Sequence, residues 1–289
     1  MTSNANTATA SQPMDNECVE RWDADCIKPF PAIALKALHL MAGTDTSLLQ
    51  LCDLIRCDAG FSAAVLRIAN SPLVGFPHNV SSVLQASMLL GFRRLRSIVI
   101  TVGLKAYLSD LRSSLMRSCW RHSLASAIIA ERAAKRMFSD SDFAYTAGIL
   151  HDIGRVALTT VMPERYARAV RQGADAPSDF LRIEREYCGI DHCAAGRALV
   201  TLWDFPDVFA AITACHHDHD SQLLGSASLI APSCALSDAL GFSLFRPRRL
   251  PSYTELIAGF PDPARHRFPA TAKELAAEVE AQIKVLETA

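Results

Sequence analysis

The sequence predicts an all-α fold, a multi-helix bundle, and two observations support that prediction. Apolar residues recur at helical spacing along nearly the whole chain, as in the stripe formed by Leu48, Leu51, Cys52 and Ile55. Alternating apolar and polar runs, which would indicate half-buried strands, are almost absent, and Gly, Pro and Asn interrupt the helical segments. With 289 residues, of which 50% are hydrophobic, the chain is long enough to bury a substantial core.

The helical pattern divides the chain into five parts. Residues 1–26 begin with a stretch rich in Thr, Ser, Asn and Ala, without the charged and apolar regions of a signal peptide, and are expected to form a disordered tail. A first group of helices is expected over 27–112 and a second group over 113–240. The Pro- and Arg-rich segment 241–270 should be an irregular loop, and 271–289 should form a last amphipathic helix.

Local signals mark several helix ends. Asp58 has the side chain and the position of an N-cap, and the polar run Asp140-Ser-Asp142 should start a short apolar helix that Gly154 ends. Thr271-x-x-Glu274 is a capping-box pattern at the start of the last helix. The residues of that helix that should dock on the body of the protein are Leu275, Val279, Ile283 and Leu286.

Composition argues against some classes of function. The net charge of -1 gives no bulk attraction to nucleic acid or to an acidic membrane surface, and no aromatic-basic pattern indicates nucleic-acid binding. No apolar run approaches the length of a transmembrane helix. The nine cysteines are odd in number and scattered, and Cys52, Cys215 and Cys234 lie among apolar helical residues, where free cysteine behaves as a small hydrophobe. Reduced thiols and a cytoplasmic location are therefore expected.

One apolar stretch, residues 143–155, places two strong metal-ligand side chains, His151 and Asp152, side by side. Buried ionisable groups are costly unless they are paired or bound to metal, so this pair needs a compensating interaction. Side chains three and four residues apart share a helix face, and other His and Asp residues also lie on faces made mostly of Ala, Gly, Ser or Cys. The candidate metal ligands are His122, His151, Asp152, His192, His216, His217 and Asp238.

This set predicts a metal site of the kind that is built in the core of helical bundles. Neutral imidazole together with carboxylate suits zinc, manganese or iron better than calcium or magnesium, and the set could hold one or two divalent ions. The alternative is a structural role. A single His on a helix face is usually a hydrogen-bonded structural residue, and the run from His216 to Asp220 could be a solvated helix end. Spacing alone leaves both interpretations open.

The order of the candidate ligands resembles a known signature. The H…HD…D pattern of the HD superfamily of metal-dependent phosphohydrolases is matched by His122, His151, Asp152 and Asp238. In that superfamily the four residues bind a divalent metal on a helical core. The extra histidines of members that hold two metals, such as the HD-GYP phosphodiesterases of cyclic di-GMP, are matched by His192, His216 and His217. The resemblance implies that Asp152 bridges the two ions.

The N-terminal half resembles the HDOD domain within that superfamily. Leu66-Arg-Ile-Ala-Asn-Ser71 and Ala86-x-x-x-Leu-Gly91 carry this resemblance, together with Ala147-Gly-Ile-Leu-His-Asp-Ile-Gly154, and it extends over about residues 27 to 240. It implies an N-terminal helical subdomain packed on an HD-like core. It also implies a regulatory role in bacterial signal transduction, exerted through protein partners, without an established activity. Many HDOD domains have lost HD ligands, whereas this sequence keeps the full set.

The sequence departs from the HD-GYP pattern at three places. After His217 the chain continues Asp-His-Asp-Ser-Gln, without a Gly-Tyr-Pro. Ser118 stands one turn before His122, where some HD-GYP proteins have a metal-binding glutamate. Arg155 stands where they usually have a lysine. These departures weaken the inference from metal ligands to catalysis.

Three hypotheses of function remain. The favoured one is a non-catalytic signalling module in which the metal is structural or sensory and the groove between the N-terminal helices and the core binds a protein partner. The second is a metal-dependent phosphohydrolase or phosphodiesterase, in which Asp152 is a ligand of the catalytic metal. A phosphate-bearing small ligand would be held by Arg155, or by Arg93, Arg94 and Arg96. The ordinary alternative for these arginines is a solvated helix face. The third is an oxygen or redox sensor built on a di-iron site.

Overall fold

The fold consists of α-helices packed around one large apolar core and two smaller apolar clusters, and the predicted all-α class is confirmed. The computed structural model describes residues 27, 29–42, 48–72, 74–109, 113–135, 137, 140–174, 180–218, 223–245 and 251–288. The expected tail at 1–26 lies outside these residues. No strand occurs in the described part of the chain, and no helix in it is long and apolar enough to cross a membrane.

The helices follow one another through short connections. In the N-terminal set they are α1 (Ala32–Ala42), α2 (Leu48–Arg56), α3 (Ala59–Ala69) and α4 (Val83–Ser109). The core set comprises α5 (Ser114–Ala134), α6 (Ser141–Leu150), α7 (Ile153–Val161), α8 (Pro163–Gly173), α9 (Phe180–Cys188), α10 (His192–Leu202), α11 (Asp207–Cys215) and α12 (Ile230–Ser237). The C-terminal part contains α13 (Tyr253–Ala258), α14 (Asp262–Arg265) and α15 (Ala272–Thr288).

The capping signals in the sequence are confirmed. The Asp58 side chain accepts a hydrogen bond from the backbone N–H of Phe61 at 2.8 Å and starts α3. Asp140 caps α6 in the same way. At the start of α15, the backbone N–H groups of Thr271 and Glu274 each donate to the other residue's side chain, at 3.2 and 3.3 Å. Each contact satisfies an N–H group that has no partner inside its helix.

Two expectations about helix boundaries are corrected. The segment 241–270 was expected to be an irregular loop, but its described part contains α13 and α14. A Ser252 and Glu255 capping box starts α13, and a proline in the first turn starts α14, where its fixed φ suits a helix. The helix that begins at Ser141 ends at Leu150 and not at Gly154, because the chain turns at His151 and Asp152 and a new helix begins at Ile153.

An aromatic cluster joins the N-terminal set to the core. The ring of Phe30, just before α1, lies 4.8 Å from the Trp203 ring and 5.5 Å from the Phe205 ring. Tyr107 of α4 meets Trp203 edge-on at 5.3 Å between centroids. These aromatic contacts bury large apolar surfaces and bind the two sets of helices into one unit.

Helix α4 also fixes the helix that leads to the candidate metal ligands. The hydroxyl groups of Ser97 on α4 and Thr146 on α6 lie 3.1 Å apart, and those of Thr101 and Tyr145 lie 3.2 Å apart. All four residues are buried, so these hydrogen bonds satisfy groups that cannot reach water. Helix α6 is therefore held in place by α4 of the N-terminal set as well as by α5 of the core.

The C-terminal helix covers α5, as the sequence predicts. The side chains of Leu275, Val279, Ile283 and Leu286 are all buried. Arg121 of α5 forms ion pairs with Glu280 and Glu287 of α15 at the edge of this apolar contact.

Small residues allow the core helices to approach closely around residue 152. A Cβ atom at Gly148 of α6 would lie 2.5 Å from the Cα atom of Ala127 on α5. A Cβ atom at Gly154 of α7 would lie 1.9 Å from the His192 carbonyl oxygen and 2.5 Å from the Gly196 nitrogen on α10. Both distances are far below van der Waals contact, so only glycine fits at either position.

The approach of α7 to α10 can be tested with Gly154→Ala. The added methyl group must push α10 away, and because backbone atoms stand in its path we expect a loss of about 3 kcal/mol or more in the free energy of unfolding. Chemical denaturation measures the effect. The control is Gly60→Ala, since the new Cβ atom there would meet only Asp58 Oδ1, at 3.4 Å. The free energy of unfolding of that variant should be unchanged or higher by up to about 1 kcal/mol. Equal stability of the two variants would contradict this account.

Candidate metal centre

Four segments of the core bring candidate ligands to one place. His122 comes from α5, His151 and Asp152 from the turn between α6 and α7, and His192 from the first residue of α10. The C-terminal end of α11 supplies His216 and His217. Because helix ends and turns are not bound by the 3.6-residue repeat, neighbouring residues there can point into the same space.

The Asp152 carboxylate lies at the centre of the group. Its Oδ1 atom is 3.2 Å from Nε2 of His192 and 3.2 Å from Nε2 of His216. Its Oδ2 atom is 3.3 Å from Nε2 of His122 and 2.6 Å from Nε of Arg155. Asp152 is 1% exposed, so its two oxygens depend entirely on these neighbours.

His151 presents an unsatisfied nitrogen to the same space. Its Nδ1 atom lies 2.7 Å from the Gly148 carbonyl oxygen, which can only accept, so Nδ1 carries the proton. Nε2 is then a lone pair, and it is buried without a hydrogen-bond partner, 3.8 Å from Oδ2 of Asp152. Burial lowers the pKa of His151 to about 3, so the ring is neutral.

His216 directs its Nε2 atom at Asp152. Its Nδ1 atom lies 3.1 Å from the Thr213 carbonyl oxygen and therefore donates to it. The Nε2 atom is 3.2 Å from Oδ1 of Asp152. A cation bound at this point would take both atoms as ligands.

A buried carboxylate orients His192. Oε2 of Glu184, on α9, is 2.5 Å from Nδ1 of His192 and accepts the backbone N–H of the same residue at 2.9 Å. Nε2 of the ring then faces Asp152 on one side and Nε2 of His217, at 3.1 Å, on the other. Glu184 is fully buried, and burial raises its pKa to about 8. Carboxylates commonly hold metal-binding imidazoles in this way.

His122 lies between two carboxylates. Its Nε2 atom faces Asp152, and its Nδ1 atom lies 3.2 Å from Oδ1 of Asp238 and 3.0 Å from Oγ of Ser237. Burial lowers the pKa of His122, but Asp238 outweighs it and raises that pKa well above its ordinary value. The Sγ atom of Cys234 lies 3.5 Å from Nε2 of the same ring.

The donor atoms form two adjoining groups that fit divalent metal. One contains Asp152, His192, His216 and His217, and the other contains His122, His151 and Cys234. Atoms bound to one ion at about 2.1 Å lie roughly 3.0 to 3.4 Å apart. The donor distances within the first group, 3.1 and 3.2 Å, fall in this range. A cation would give the orphaned Nε2 of His151 a partner, and a cation beside Asp152 would take Nε2 of His216 as a further ligand.

Electrostatics also favours metal over protons in the first group. Burial, together with neighbouring positive groups, lowers the pKa values of His192 and His217 well below their ordinary value. Burial alone would raise the pKa of Asp152, but Arg155 and the histidines hold it well below its usual range. Neutral imidazoles around an ionised carboxylate are the forms that bind metal.

Comparison with known sequences assigns this arrangement to a family. A sequence model of the HDOD domain matches residues 27–219. The chain belongs to the HDOD domain family. Among curated proteins, an uncharacterised protein of Treponema pallidum (strain Nichols) is 24% identical over 202 residues, which are 68% of this chain and 39% of that protein. The chain therefore spans well under half the length of that relative.

Solved structures share the HDOD fold. An HDOD domain protein of unknown function from Geobacter sulfurreducens is similar with a TM-score of 0.73 at 24% identity, over 91% of both chains. A protein of Shewanella amazonensis SB2B, provisionally named a phosphohydrolase, is similar with a TM-score of 0.67 at 21% identity, over 91% of this chain and 93% of its own. Together with the helical architecture, these matches confirm the predicted bundle.

Six of the seven predicted ligands meet around Asp152, and the seventh takes a different position. Asp238 contacts the Nδ1 edge of His122, on the side of the ring away from Asp152, and 34% of its side chain is exposed. In this arrangement Asp238 orients His122.

Two residues that belong to the site were not identified from the sequence. Cys234 was interpreted as a small hydrophobe, although it lies four residues before Asp238 and therefore on the same helix face. Glu184 lies eight residues before His192 on a different helix, and only the tertiary fold brings it to the imidazole. A buried-looking glutamate in the apolar pattern of Phe180, Ile183 and Cys188 was the available signal.

Arg155 is buried against the centre and is not a solvated side chain. Its Nε atom is 2.6 Å from Oδ2 of Asp152, and its guanidinium lies 5.1 Å from the centroid of the Phe180 ring. The other three arginines of the sequence hypothesis lie on α4, away from these contacts: Arg93 pairs with Asp140 and Arg94 pairs with Glu131.

The role of Glu184 can be tested by metal affinity in Glu184→Gln. The amide keeps the size of the side chain but is a weaker acceptor for the Nδ1 proton of His192 than a carboxyl group that can ionise when metal binds, so we expect the Kd for Zn²⁺ to rise by about tenfold or more. Competition with a chromophoric chelator measures it. The matched control on the same helix is Glu186→Gln, since Glu186 is exposed and pairs with Arg182 at the surface. Identical affinities in both variants would exclude a role for Glu184 in holding the ligand.

Proposed function

We propose that this HDOD protein is a regulatory signalling module whose His and Asp cluster holds one or two divalent metal ions, and that it acts by binding other proteins. The observation that carries the proposal is the closure of the cluster. The side chains of His151, Asp152 and His192 are essentially inaccessible to solvent. Arg155, itself buried, covers Oδ2 of Asp152, and Phe180 packs on the guanidinium.

Closure favours a structural or sensory metal. A catalytic metal needs an open coordination position and a path for the substrate. Here the carboxylate at the centre is already engaged by an arginine, and its other neighbours are imidazoles from three helices. A domain with its metal out of reach of a substrate affects other molecules through its surface. Protein partners are therefore the proposed targets.

The donor atoms would cross-link the core. In one group Asp152, His192, His216 and His217 would hold an ion, and a second ion would be held by His122, His151 and Cys234, with Asp152 between the two. When bound, the ions would tie α5, α10, α11 and the α6–α7 turn together and neutralise the buried carboxylate. Imidazoles and a thiol favour zinc or iron over manganese.

A phosphohydrolase is the second candidate, and one observation favours it. His217 is partly exposed and lines a pocket of about 390 Å³ together with Arg185, Arg197 and Asp218. A phosphoester in this pocket would lie near the first donor group, with Arg197 on α10 available to hold its oxygens. A bound metal would supply polarisation of the phosphate and a water of lowered pKa.

The two candidates are separated by metal content and turnover. We expect protein purified without chelator to contain about one or two zinc or iron ions per chain by mass spectrometry. Removing a metal present at about a thousandfold above its Kd should lower the free energy of unfolding by about 4 kcal/mol. Bis(p-nitrophenyl) phosphate and cyclic dinucleotides should not be hydrolysed.

Asp152→Ala supplies the decisive variant. It should lose the metal and the metal-dependent part of the stability, whereas Asp53→Ala, at an exposed position, should retain both. Turnover by the wild-type protein that disappears in Asp152→Ala would replace the signalling proposal by the hydrolase. Protein that binds no metal under any condition would contradict both.

A further inference from the structure

Three arginines lie close together on α4, and only one of them lacks a partner in the described part of the chain. Nη1 of Arg93 is 3.4 Å from Oδ2 of Asp140. Nη1 of Arg94 is 2.7 Å from Oε1 of Glu131 and also pairs with Asp142 at 3.6 Å. For Arg96, no ion pair or hydrogen bond with any described residue is found, and its Nε atom is buried without an acceptor.

An unpartnered arginine in the protein body requires a physical account. A buried donor without an acceptor costs about 1 to 3 kcal/mol, and more when the group is charged. Arg96 is half-buried on a helix that packs into the core, so its position is set by the fold and it is not a freely solvated side chain. The Nε atom is closed off from solvent, whereas the Nη atoms are not buried. An acceptor from outside the chain can therefore reach the Nη atoms and stabilise the charge.

Arg96 lines a pocket that both sets of helices build. The pocket has a volume of about 370 Å³, and its apolar walls include Leu38 and Ile100 from the N-terminal set and Phe205 and Phe209 from the core. The volume and the mostly apolar walls with few polar groups are typical of small-molecule sites. Phe205 and Phe209 are 6% and 3% exposed, and these exposed parts form an apolar wall against which a ring can pack.

The acidic groups at this pocket leave the guanidinium available. Asp204 and Asp207 also line it, but Oδ2 of Asp204 lies 3.3 Å from Nε2 of His39. Asp207 stands in the first turn of α11, where the helix dipole favours a negative charge. Neither carboxylate forms an ion pair with Arg96 in the described structure.

We propose that this pocket binds a small organic anion, with its acid group on Arg96 and a flat apolar body against Ile100, Phe205 and Phe209. A carboxylate or a phosphate would satisfy the guanidinium through charge-assisted hydrogen bonds. The recess is too small for a helix and suits a single ring system with an acidic substituent. The site shares no residue with the metal centre and does not depend on whether that centre is catalytic.

The anionic dye 1-anilinonaphthalene-8-sulfonate is a suitable probe, since it joins an acid group to aromatic rings. Its uncharged counterpart, N-phenyl-1-naphthylamine, reports the apolar walls alone. Wild-type protein should bind the dye saturably at one site per chain, measured by fluorescence titration. Arg96→Met, which keeps the apolar stem of the side chain, should weaken binding of the dye by about tenfold or more and leave binding of the uncharged counterpart unchanged.

Two further variants make the result specific. Arg93→Met removes a neighbouring but paired arginine and should bind the dye like the wild type. Arg96→Lys retains the positive charge and should bind the dye more tightly than Arg96→Met does. Equal affinity of the wild type and Arg96→Met overturns the proposal, as does equal weakening in the Arg93 and Arg96 variants or in the Lys and Met variants.

Competition experiments then show whether the acid group of the ligand is a carboxylate or a phosphate. Indole-3-acetate tests a carboxylate and adenosine 5′-monophosphate tests a phosphate, each by displacement of the dye from the wild type. Displacement by either supports the proposal and names the acid group. Failure of both to displace the dye at millimolar concentration overturns the proposed ligand class.

Discussion

The buried carboxylate of Asp152 is the constraint on which the centre of this protein depends. An ionised carboxylate that is removed from water is unstable unless charges and hydrogen bonds replace the solvent. Arg155 supplies one full charge at 2.6 Å, and three imidazoles approach the two oxygens at 3.2 to 3.3 Å. One arginine balances one carboxylate, but Nε2 of His151 is still buried without a hydrogen-bond partner. A metal ion is the group that would bind this atom.

Several helices can meet at one carboxylate only because the side chains on their facing surfaces are small. Gly148 lets α6 lie against the backbone of α5, and Gly154 lets α7 touch the backbone of α10. The chain also turns between α6 and α7. Because the helical repeat does not separate the directions of neighbouring side chains in this turn, His151 and Asp152 both face inward. The position of the ligands therefore follows from backbone contacts more than from the ligands themselves, which explains why the ligand faces in the sequence consist of Ala, Gly and Ser.

Sequence reasoning was successful where a signal was local and failed where it was tertiary. The cap at Asp58 and the capping box at Thr271 each have a short pattern of residues that chemistry explains. Glu184 has no such pattern, because its partner lies on the next helix and a glutamate is ordinarily exposed. The loop expected over 241–270 failed for a different reason. Its prolines were interpreted only as helix breakers, whereas Pro263 lies in the first turn of α14, where its missing N–H breaks no intrahelical hydrogen bond.

Helix α11 connects the two features that the function proposals rest on. Its first turn lies at the Arg96 pocket, where Asp207 and Phe209 are among the lining residues, and its C-terminal end carries His216 and His217. Nine helical residues extend for about 13 Å and move as a stiff unit. A metal ion bound by the histidines and an anion bound in the pocket would therefore both contact the same helix. A closed metal centre can take part in signalling through such a connection without any substrate reaching the metal.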